Sequence, residues 1–193
     1  DVDTGLDDAM ALMYACKHPA LDLLGVTASF GNTTLKNTLQ NTLNTLKLCG
    51  REDIPVAAGA ERAMVYEPHL AEHVHGAGGI GGYQFPFADT KEALSPLAAW
   101  DLTYQLIMKC QEKVTLCYMG PLTTAAILLQ KYPAVKERIK AVVFMGGHIR
   151  EGTYTPLSSV NIYYDPHAAK KVITSGIDFY MCAGDMTSNF CYV

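Results

Sequence analysis

The feature that most constrains the fold is an alternation of short apolar segments with longer segments of helical periodicity. Strands are predicted at residues 23–29, 54–58, 114–119, 141–145 and 179–182, and helices at residues 6–17, 34–49, 97–111, 123–131 and 165–175. This alternation predicts one α/β domain over residues 1–193, with an open, mainly parallel sheet of the Rossmann type and helices on both faces. Residues 59–95 predict long loops within that domain. Ligands are expected at the carboxyl ends of the strands.

Composition and charge exclude several classes of protein. The chain has 193 residues, 49% of them hydrophobic, and a net charge of −4, which is typical of one globular domain with a single core. Its 15 basic residues are scattered along the chain, which argues against nucleic acid as a partner. The chain contains no run of 18 consecutive apolar residues, so a membrane-spanning helix is not predicted. Six cysteines without a C-x-x-C pair predict reduced thiols in the cytoplasm. A small molecule is the expected partner.

Four carboxylates lie within the first eight residues, at a predicted junction between a strand and a helix: Asp1, Asp3, Asp7 and Asp8. Like charges this close raise each other's pKa, and a bound divalent cation relieves the conflict by taking carboxylate oxygens as ligands. One or two acids at a helix start would simply cap the helix. Four acids favour a metal site, on which Asp3 and Asp8 are placed to converge.

The opening segment also permits a second interpretation. Asp1-Val2-Asp3-Thr4 matches the D-x-D-x-T nucleophile loop of haloacid-dehalogenase-like phosphatases, in which Asp1 would attack a phosphoryl group beside magnesium. That interpretation gives Asp7 and Asp8 no role.

Two further motifs are weaker. Residues 76–81 match G-x-G-x-x-G, but they follow no predicted strand and precede no predicted helix, so a dinucleotide fingerprint is excluded. His73 and His75 lie near no cysteine in the sequence, and loop histidines are the default interpretation, so a zinc site is not predicted there.

Six motifs occur along the chain in a specific order. They are D-V-D-T-G-L-D-D at residues 1–8, S-F-G-N at 29–32, H-G-x-x-G-I-G-G at 75–82, M-G-P-L-T at 119–123, M-G-G at 145–147 and V-N-I-Y-Y-D-P at 160–166. In this order they resemble the inosine-uridine nucleoside N-ribohydrolase family. The resemblance covers nearly the whole chain and implies an open, mainly parallel α/β sheet. It also implies calcium-dependent hydrolysis of the N-glycosidic bond of ribonucleosides to ribose and free base, as in nucleoside salvage.

The resemblance implies roles for individual residues in metal binding and catalysis. Asp3 would be a calcium ligand and the base that activates a calcium-bound water, with Asp8 as a second ligand. Met119 would be a further ligand through its backbone carbonyl, and His75 would lie near the leaving base. Carboxylates near C1′ suit this reaction, because its transition state is an oxocarbenium-like sugar.

Other residues would bind the sugar if the resemblance extends to the substrate. The ribose hydroxyls would be bound by Asp7, Asn32 and Asn161, and Met145 would line the sugar pocket. The family usually has Glu two residues before this Asn, where it contacts the 5′-hydroxyl, but here Ser159 occupies that place. Thr124 likewise stands where the family usually has Asn.

A third departure concerns the His-Asp pair that the family carries well downstream. That pair gives one more calcium carboxylate and a histidine near the leaving base, and nothing before Val193 matches it. We therefore expect the chain to be incomplete at both ends, as part of a domain of roughly 300 residues. On its own it is expected to bind calcium weakly and to turn over slowly or not at all. Robust calcium-dependent release of base from uridine or inosine would contradict this expectation.

Three functions stay open from the sequence: a nucleoside hydrolase, a magnesium-dependent phosphatase that uses Asp1, and a non-catalytic ribose- or nucleoside-binding protein. Purine-specific family members stack the base between tryptophans, whereas Trp100 lies in a predicted amphipathic helix as a packing residue. This favours the nonspecific or pyrimidine-preferring branch. Because family members are usually dimers or tetramers, a homo-oligomer is expected.

Overall fold

Short parallel strands form the frame of the domain. The computed structural model describes residues 1–87, 91–150 and 152–186, and within them five strands: β1 (Val26–Ala28), β2 (Val56–Ala58), β3 (Val114–Tyr118), β4 (Ile139–Met145) and β5 (Phe179–Cys182). β1 pairs with β2, and a second sheet has the order β3-β4-β5. All of these pairs are parallel, as the sequence predicts.

The opening segment, residues 1–3, lies between the two sheets. On one side Val2 forms a parallel bridge with Ala28 of β1. On the other side the Met119 backbone N–H donates a hydrogen bond of 3.0 Å to the carbonyl of Asp1. The two sheets therefore continue into each other through this segment, and Asp3 emerges at the carboxyl edge between β1 and β3.

Helices cover both faces of the sheet. They are α1 (Leu6–Lys17), α2 (Leu35–Leu48), α3 (Glu72–His75), α4 (Ala99–Lys109), α5 (Thr123–Lys131), α6 (Val160–Tyr164) and α7 (Pro166–Ile173), and a 3₁₀-helix spans Pro133–Arg138. Val56 packs in one core cluster with α1 and α2, whereas the next residue, Ala57, packs against α4. This split follows from the alternation of side chains along a strand. No helix in the described ranges is long and apolar enough to cross a membrane.

Several predicted boundaries are wrong, for identifiable reasons. The strand predicted at residues 23–29 covers only Val26–Ala28, because its partner β2 is preceded by Pro55, which has no N–H for a further ladder bond. β4 begins two residues before the predicted start, since the exposed Lys140 interrupts the apolar pattern. The short helices α3 and α6 were not predicted, because four or five residues are too few to show periodicity. Residues 88–90 of the predicted loop region lie outside the described residues.

The Asp165 carboxylate connects three parts of the fold. It is fully buried and caps α7 by accepting a hydrogen bond of 2.9 Å from the Ala168 N–H. It also accepts from the Met64 N–H at 2.8 Å and from the Thr123 hydroxyl at 2.7 Å. A buried carboxylate is tolerated only with such partners, so this residue fixes the loop after β2 against the starts of α5 and α7.

Removal of this carboxylate tests its structural role. We expect Asp165→Ala to lower the free energy of unfolding by about 3 kcal/mol, because three donors lose their acceptor at once. Urea denaturation followed by circular dichroism measures the change. The control Asp178→Ala removes an exposed carboxylate and should change the free energy of unfolding by less than about 0.5 kcal/mol. Equal effects of the two substitutions would contradict the assignment.

Candidate active site

The carboxyl edge of the sheet brings together most of the predicted site residues. Asp3 ends the opening segment, Asn32 follows β1, Met119 follows β3 and Met145 ends β4. α6 supplies Asn161 to the same edge, since its side chain reaches the backbone of Met119. Chain segments far apart in sequence thus meet where an α/β sheet is expected to bind its ligand.

The Asp3 carboxylate is wedged between two backbone turns. Its side chain is buried, with 3% of the residue exposed, and Oδ2 accepts a hydrogen bond of 2.9 Å from the Asn32 N–H. A methyl group at Gly120 would lie 2.8 Å from Asp3 Oδ1, and one at Gly31 would overlap Oδ2. These two glycines are required for the close approach. Their role was not predicted, although each lies inside a motif at a strand end, Gly31 in S-F-G-N and Gly120 in M-G-P-L-T.

Asp8 lies beside Asp3, in the first turn of α1. It is buried to the same extent, and its Oδ2 accepts hydrogen bonds from the Gly5 N–H at 2.9 Å and from Asn32 Nδ2 at 2.8 Å. Asn32 therefore donates to both carboxylates, through its backbone to Asp3 and through its side chain to Asp8. This single residue fixes the relative position of the two acids.

Burial makes both carboxylates reluctant to ionise. Burial raises the pKa of Asp8 to about 6, and the charge of Asp7 contributes to the rise. The pKa of Asp3 lies well above its usual value, chiefly through burial and then through the charge of Asp8. Among the described residues, the carboxylates that form ion pairs with Lys or Arg are those of Glu52, Asp53 and Asp101, and not those of Asp3 or Asp8. Within the described ranges, the two acids therefore share a buried site without a neutralising Lys or Arg side chain, and a cation would stabilise their charges.

Asn161 joins the ends of two strands. Its side chain is buried, and Nδ2 donates hydrogen bonds to the carbonyls of Met119 at 2.5 Å and Met145 at 2.9 Å. The carbonyl oxygen of Met119 has a second lone pair in addition to the one that accepts from Asn161. Met119, whose carbonyl is predicted to bind calcium, and Asn161, whose amide is predicted to bind the sugar, therefore lie in contact.

His75 and Asp7 lie at the outer rim of the same edge. The Leu6 N–H donates to His75 Nδ1 at 3.4 Å, and a methyl group at Gly5 would lie 2.5 Å from this nitrogen. The same methyl group would lie 2.7 Å from Asn32 Nδ2, so His75 stands next to the residue that braces the carboxylates. Asp7 is exposed in the first turn of α1.

Ser159 and Asp1 have structural partners. The Ser159 hydroxyl is buried and accepts a hydrogen bond of 2.7 Å from the Gly147 N–H, which holds the turn after β4. The Asp1 carboxylate accepts from the hydroxyls of Thr27 at 2.7 Å and Ser29 at 3.0 Å. Both Asp1 oxygens therefore accept hydrogen bonds from residues in or just after β1, which weakens the interpretation of Asp1 as a phosphatase nucleophile.

The donor set for a metal is small. Among residues 1–87, 91–150 and 152–186, no group of three or more His, Cys, Asp or Glu side chains is arranged to bind a metal ion. An ion between Asp3 and Asp8 would therefore need carbonyl, water or substrate oxygens to complete its shell. Such mixed oxygen sets are characteristic of calcium.

Comparison with known proteins places the chain among nucleoside hydrolases. The model of the protein family "Inosine-uridine preferring nucleoside hydrolase" matches residues 1–193 of the chain. The pyrimidine-specific ribonucleoside hydrolase RihA of Photobacterium profundum is 42% identical over 187 residues, which are 97% of this chain and 60% of that protein. The chain thus spans about three fifths of the length of the curated relatives it matches.

Solved structures agree with this match. A plant nucleoside hydrolase superposes with a TM-score of 0.90 at 32% identity, covering 97% of this chain and 60% of its own. A purine-preferring ribonucleoside hydrolase from Gardnerella vaginalis superposes with a TM-score of 0.88 at 29% identity, covering 94% of this chain and 58% of its own. The predicted α/β fold is confirmed by these neighbours, and the match over all 193 residues shows that the chain belongs to the inosine-uridine preferring nucleoside hydrolase family.

Proposed function

We propose that this protein hydrolyses the N-glycosidic bond of ribonucleosides to ribose and free base, with calcium as its cofactor. The observation that carries the proposal is the pair of buried carboxylates, Asp3 and Asp8, braced by Asn32 without a neutralising Lys or Arg. Membership of the family supports the same reaction. The pyrimidine-specific activity named for the Photobacterium relative supports a pyrimidine or mixed ribonucleoside as substrate.

The residues at this edge suit calcium. The hydrogen bonds of Asp3 and Asp8 engage Oδ2 of each carboxylate, and the Met119 carbonyl is a third oxygen donor at the same edge. Hard oxygen donors of this kind are the ligands that calcium prefers. Calcium bound there would supply positive charge that orients the ribose diol and acidifies a water molecule.

Asp3 is proposed as the general base. A general base must lie within reach of the water that it deprotonates, and the buried Asp3 carboxylate, beside Asp8, would face a water held by calcium at this edge. Its negative charge, with that of Asp8, would also stabilise the positive charge that develops on the sugar ring as the bond to the base breaks.

The remaining predicted residues are proposed to bind the substrate. Asp7, Asn32 and Asn161 would bind ribose hydroxyls, and Met145, which is half-buried at the end of β4, would line the sugar pocket. Ser159 would lie near the 5′ end of the sugar, with its Oγ shared with the Gly147 N–H.

His75 is proposed to act on the leaving base. When the His75 Nδ1 accepts from the Leu6 N–H, the neutral imidazole carries its proton on Nε2. That N–H is then available to donate to the base as it departs.

The packing of Trp100, the cysteines and the family resemblance bear on the setting in which the protein works. Trp100 packs beside the cluster of buried side chains contributed by α4, α5 and α7, as expected of a packing residue. We propose a cytoplasmic enzyme of nucleoside salvage that forms a homodimer or homotetramer, on the strength of the family resemblance and of the cysteines of the described residues, which form no disulfide.

Substitution of Asp3 tests the proposed chemistry. Release of ribose by the unsubstituted chain is expected to be slow, and we expect Asp3→Asn to abolish this calcium-dependent release from uridine and inosine, because a general base and a metal ligand are lost together. A reducing-sugar assay on the purified protein measures this rate.

Asp1→Asn is the matched control, since it alters the neighbouring carboxylate that binds Thr27 and Ser29. Retention of ribose release in Asp1→Asn supports the hydrolase. Phosphate release that Asp1→Asn abolishes would support the phosphatase instead. Calorimetric binding of ribose with calcium, but no ribose release from either nucleoside, would indicate a non-catalytic binding protein.

The raised carboxylate pKa values predict how stability depends on pH. The folded pKa of Asp8, about 6, exceeds its ordinary value of 3.8, so the folded protein binds more protons between these values than the unfolded chain does. The stability contributed by this group is present below pH 3.8 and is lost as the pH rises through about 6.

Calcium should offset this loss by replacing the protons. We expect calcium to raise the melting temperature more at pH 8 than at pH 5, and differential scanning fluorimetry measures both shifts. In Asp3→Asn the calcium effect at pH 8 should be much smaller. A calcium shift that is independent of pH would contradict the proposed ligands.

A further inference from the structure

Three polar side chains, one just before α2 and two within its first two turns, contact one loop. We define the α2 ladder as Thr33, Asn37 and Asn41, which lie four residues apart and so face the same side. The Thr33 hydroxyl donates to the Ala77 carbonyl at 2.9 Å, and Asn37 Nδ2 donates to the same carbonyl at 3.1 Å. Asn41 Nδ2 donates to the next carbonyl, that of Gly78, at 2.9 Å. All three therefore bind the Gly-rich loop, residues 76–82.

Asn41 also contacts the backbone that follows Asp3. The same Nδ2 donates a second hydrogen bond, of 3.1 Å, to the Thr4 carbonyl, and only 7% of Asn41 is exposed. One buried amide thus binds the carboxylate segment and the Gly-rich loop together. Its loss would remove this donor from the buried Thr4 carbonyl and from the Gly78 carbonyl.

The Gly-rich loop packs directly against the ladder. A methyl group at Gly79 would lie 2.6 Å from Thr33 Cγ2 and 3.3 Å from Asn41 Nδ2, so only glycine fits at this contact. Gly79 also has a φ of +79°, which side chains rarely adopt. Gly82 has nearly the same φ, +78°, but a methyl group there would meet no atom within 4 Å. An alanine at either position would be strained by the same φ, but only an alanine at Gly79 would also collide with the ladder.

His75, the last residue of α3, directly precedes the Gly-rich loop. The Gly81 N–H donates to the His75 carbonyl at 2.8 Å, and the Gly79 N–H donates to the Gly76 carbonyl at 2.8 Å, so the loop closes back on this histidine. Displacement of Ala77 and Gly78 from the ladder would therefore move His75 away from Gly5 and Asn32.

We propose that the α2 ladder positions His75 over the substrate, with Thr33, Asn37 and Asn41 as positioning residues for nucleoside binding. The proposal rests on the proposed function, because it assigns His75 to the nucleobase. It predicts that the ladder affects affinity for the nucleoside more than affinity for the metal, because Asn37 contacts the Gly-rich loop and Thr33 and neither carboxylate.

The first test needs no substrate. Amide hydrogen exchange of Gly79 and Gly81 is measured in the ligand-free protein by two-dimensional NMR. We expect exchange at least about tenfold faster in Asn37→Ala and Asn41→Ala, since each substitution removes bonds that hold the loop closed. The Gly81 amide should show the same effect in Gly79→Ala and a clearly smaller one in Gly82→Ala. Unchanged exchange in Asn37→Ala and Asn41→Ala would overturn the proposal.

The second test separates positioning of the loop from general damage. Calorimetric titration of Asn37→Ala with calcium, and then with uridine in saturating calcium, should show uridine affinity weakened about tenfold and calcium affinity within about twofold of the unsubstituted protein. Equal weakening of both would overturn the positioning role. If the unsubstituted protein binds no uridine, the proposed function fails, and the exchange experiment alone decides whether the ladder holds the loop.

Discussion

The structure depends on the burial of two neighbouring carboxylates. Asp3 and Asp8 lie at the centre of the carboxyl edge of the sheet, and each is buried without a neutralising side chain among the described residues. Burial is the main reason why both pKa values are raised; the charge of Asp8 adds to the rise at Asp3, and the charge of Asp7 adds to the rise at Asp8. Asn32 makes the arrangement possible, since it donates one hydrogen bond to each carboxylate. The fold thus maintains a site whose charge is balanced only when protons or a cation are bound.

The topology explains why these acids meet. The opening segment lies between β1 and β3, so Asp3 leaves the sheet beside the turn that carries Asn32. α1 begins directly afterwards and brings Asp8 back to the same point within one turn. Gly31 and Gly120 leave room for the Asp3 side chain where a methyl group would collide with it. The proposed catalysis therefore relies on strand order and on two glycines as much as on the acids themselves.

Much of this arrangement could be predicted from the sequence, because local signals agree with the fold. α1 has the predicted bounds, since its periodicity and the acids of its first turn both mark its start. The contacts of Asn41 could not be predicted, because its partners Thr4 and Gly78 each lie 37 residues away and no local pattern reports them. The hydrogen bond from the Gly147 N–H to the Ser159 hydroxyl likewise could not be predicted, because it depends on how the chain folds between these residues. The roles proposed for Asp7, Met145 and His75 in binding substrate stay predictions.

Proton release on calcium binding tests the central claim most directly. Isothermal titration with calcium, in two buffers of different ionisation enthalpy, gives the number of protons released at each pH. If Asp3 and Asp8 are the ligands, binding at about pH 6 releases protons from carboxylates whose pKa burial has raised, and the release disappears in Asp3→Asn. Calcium binding without proton release at that pH, or with the same release in Asp3→Asn, would contradict the account.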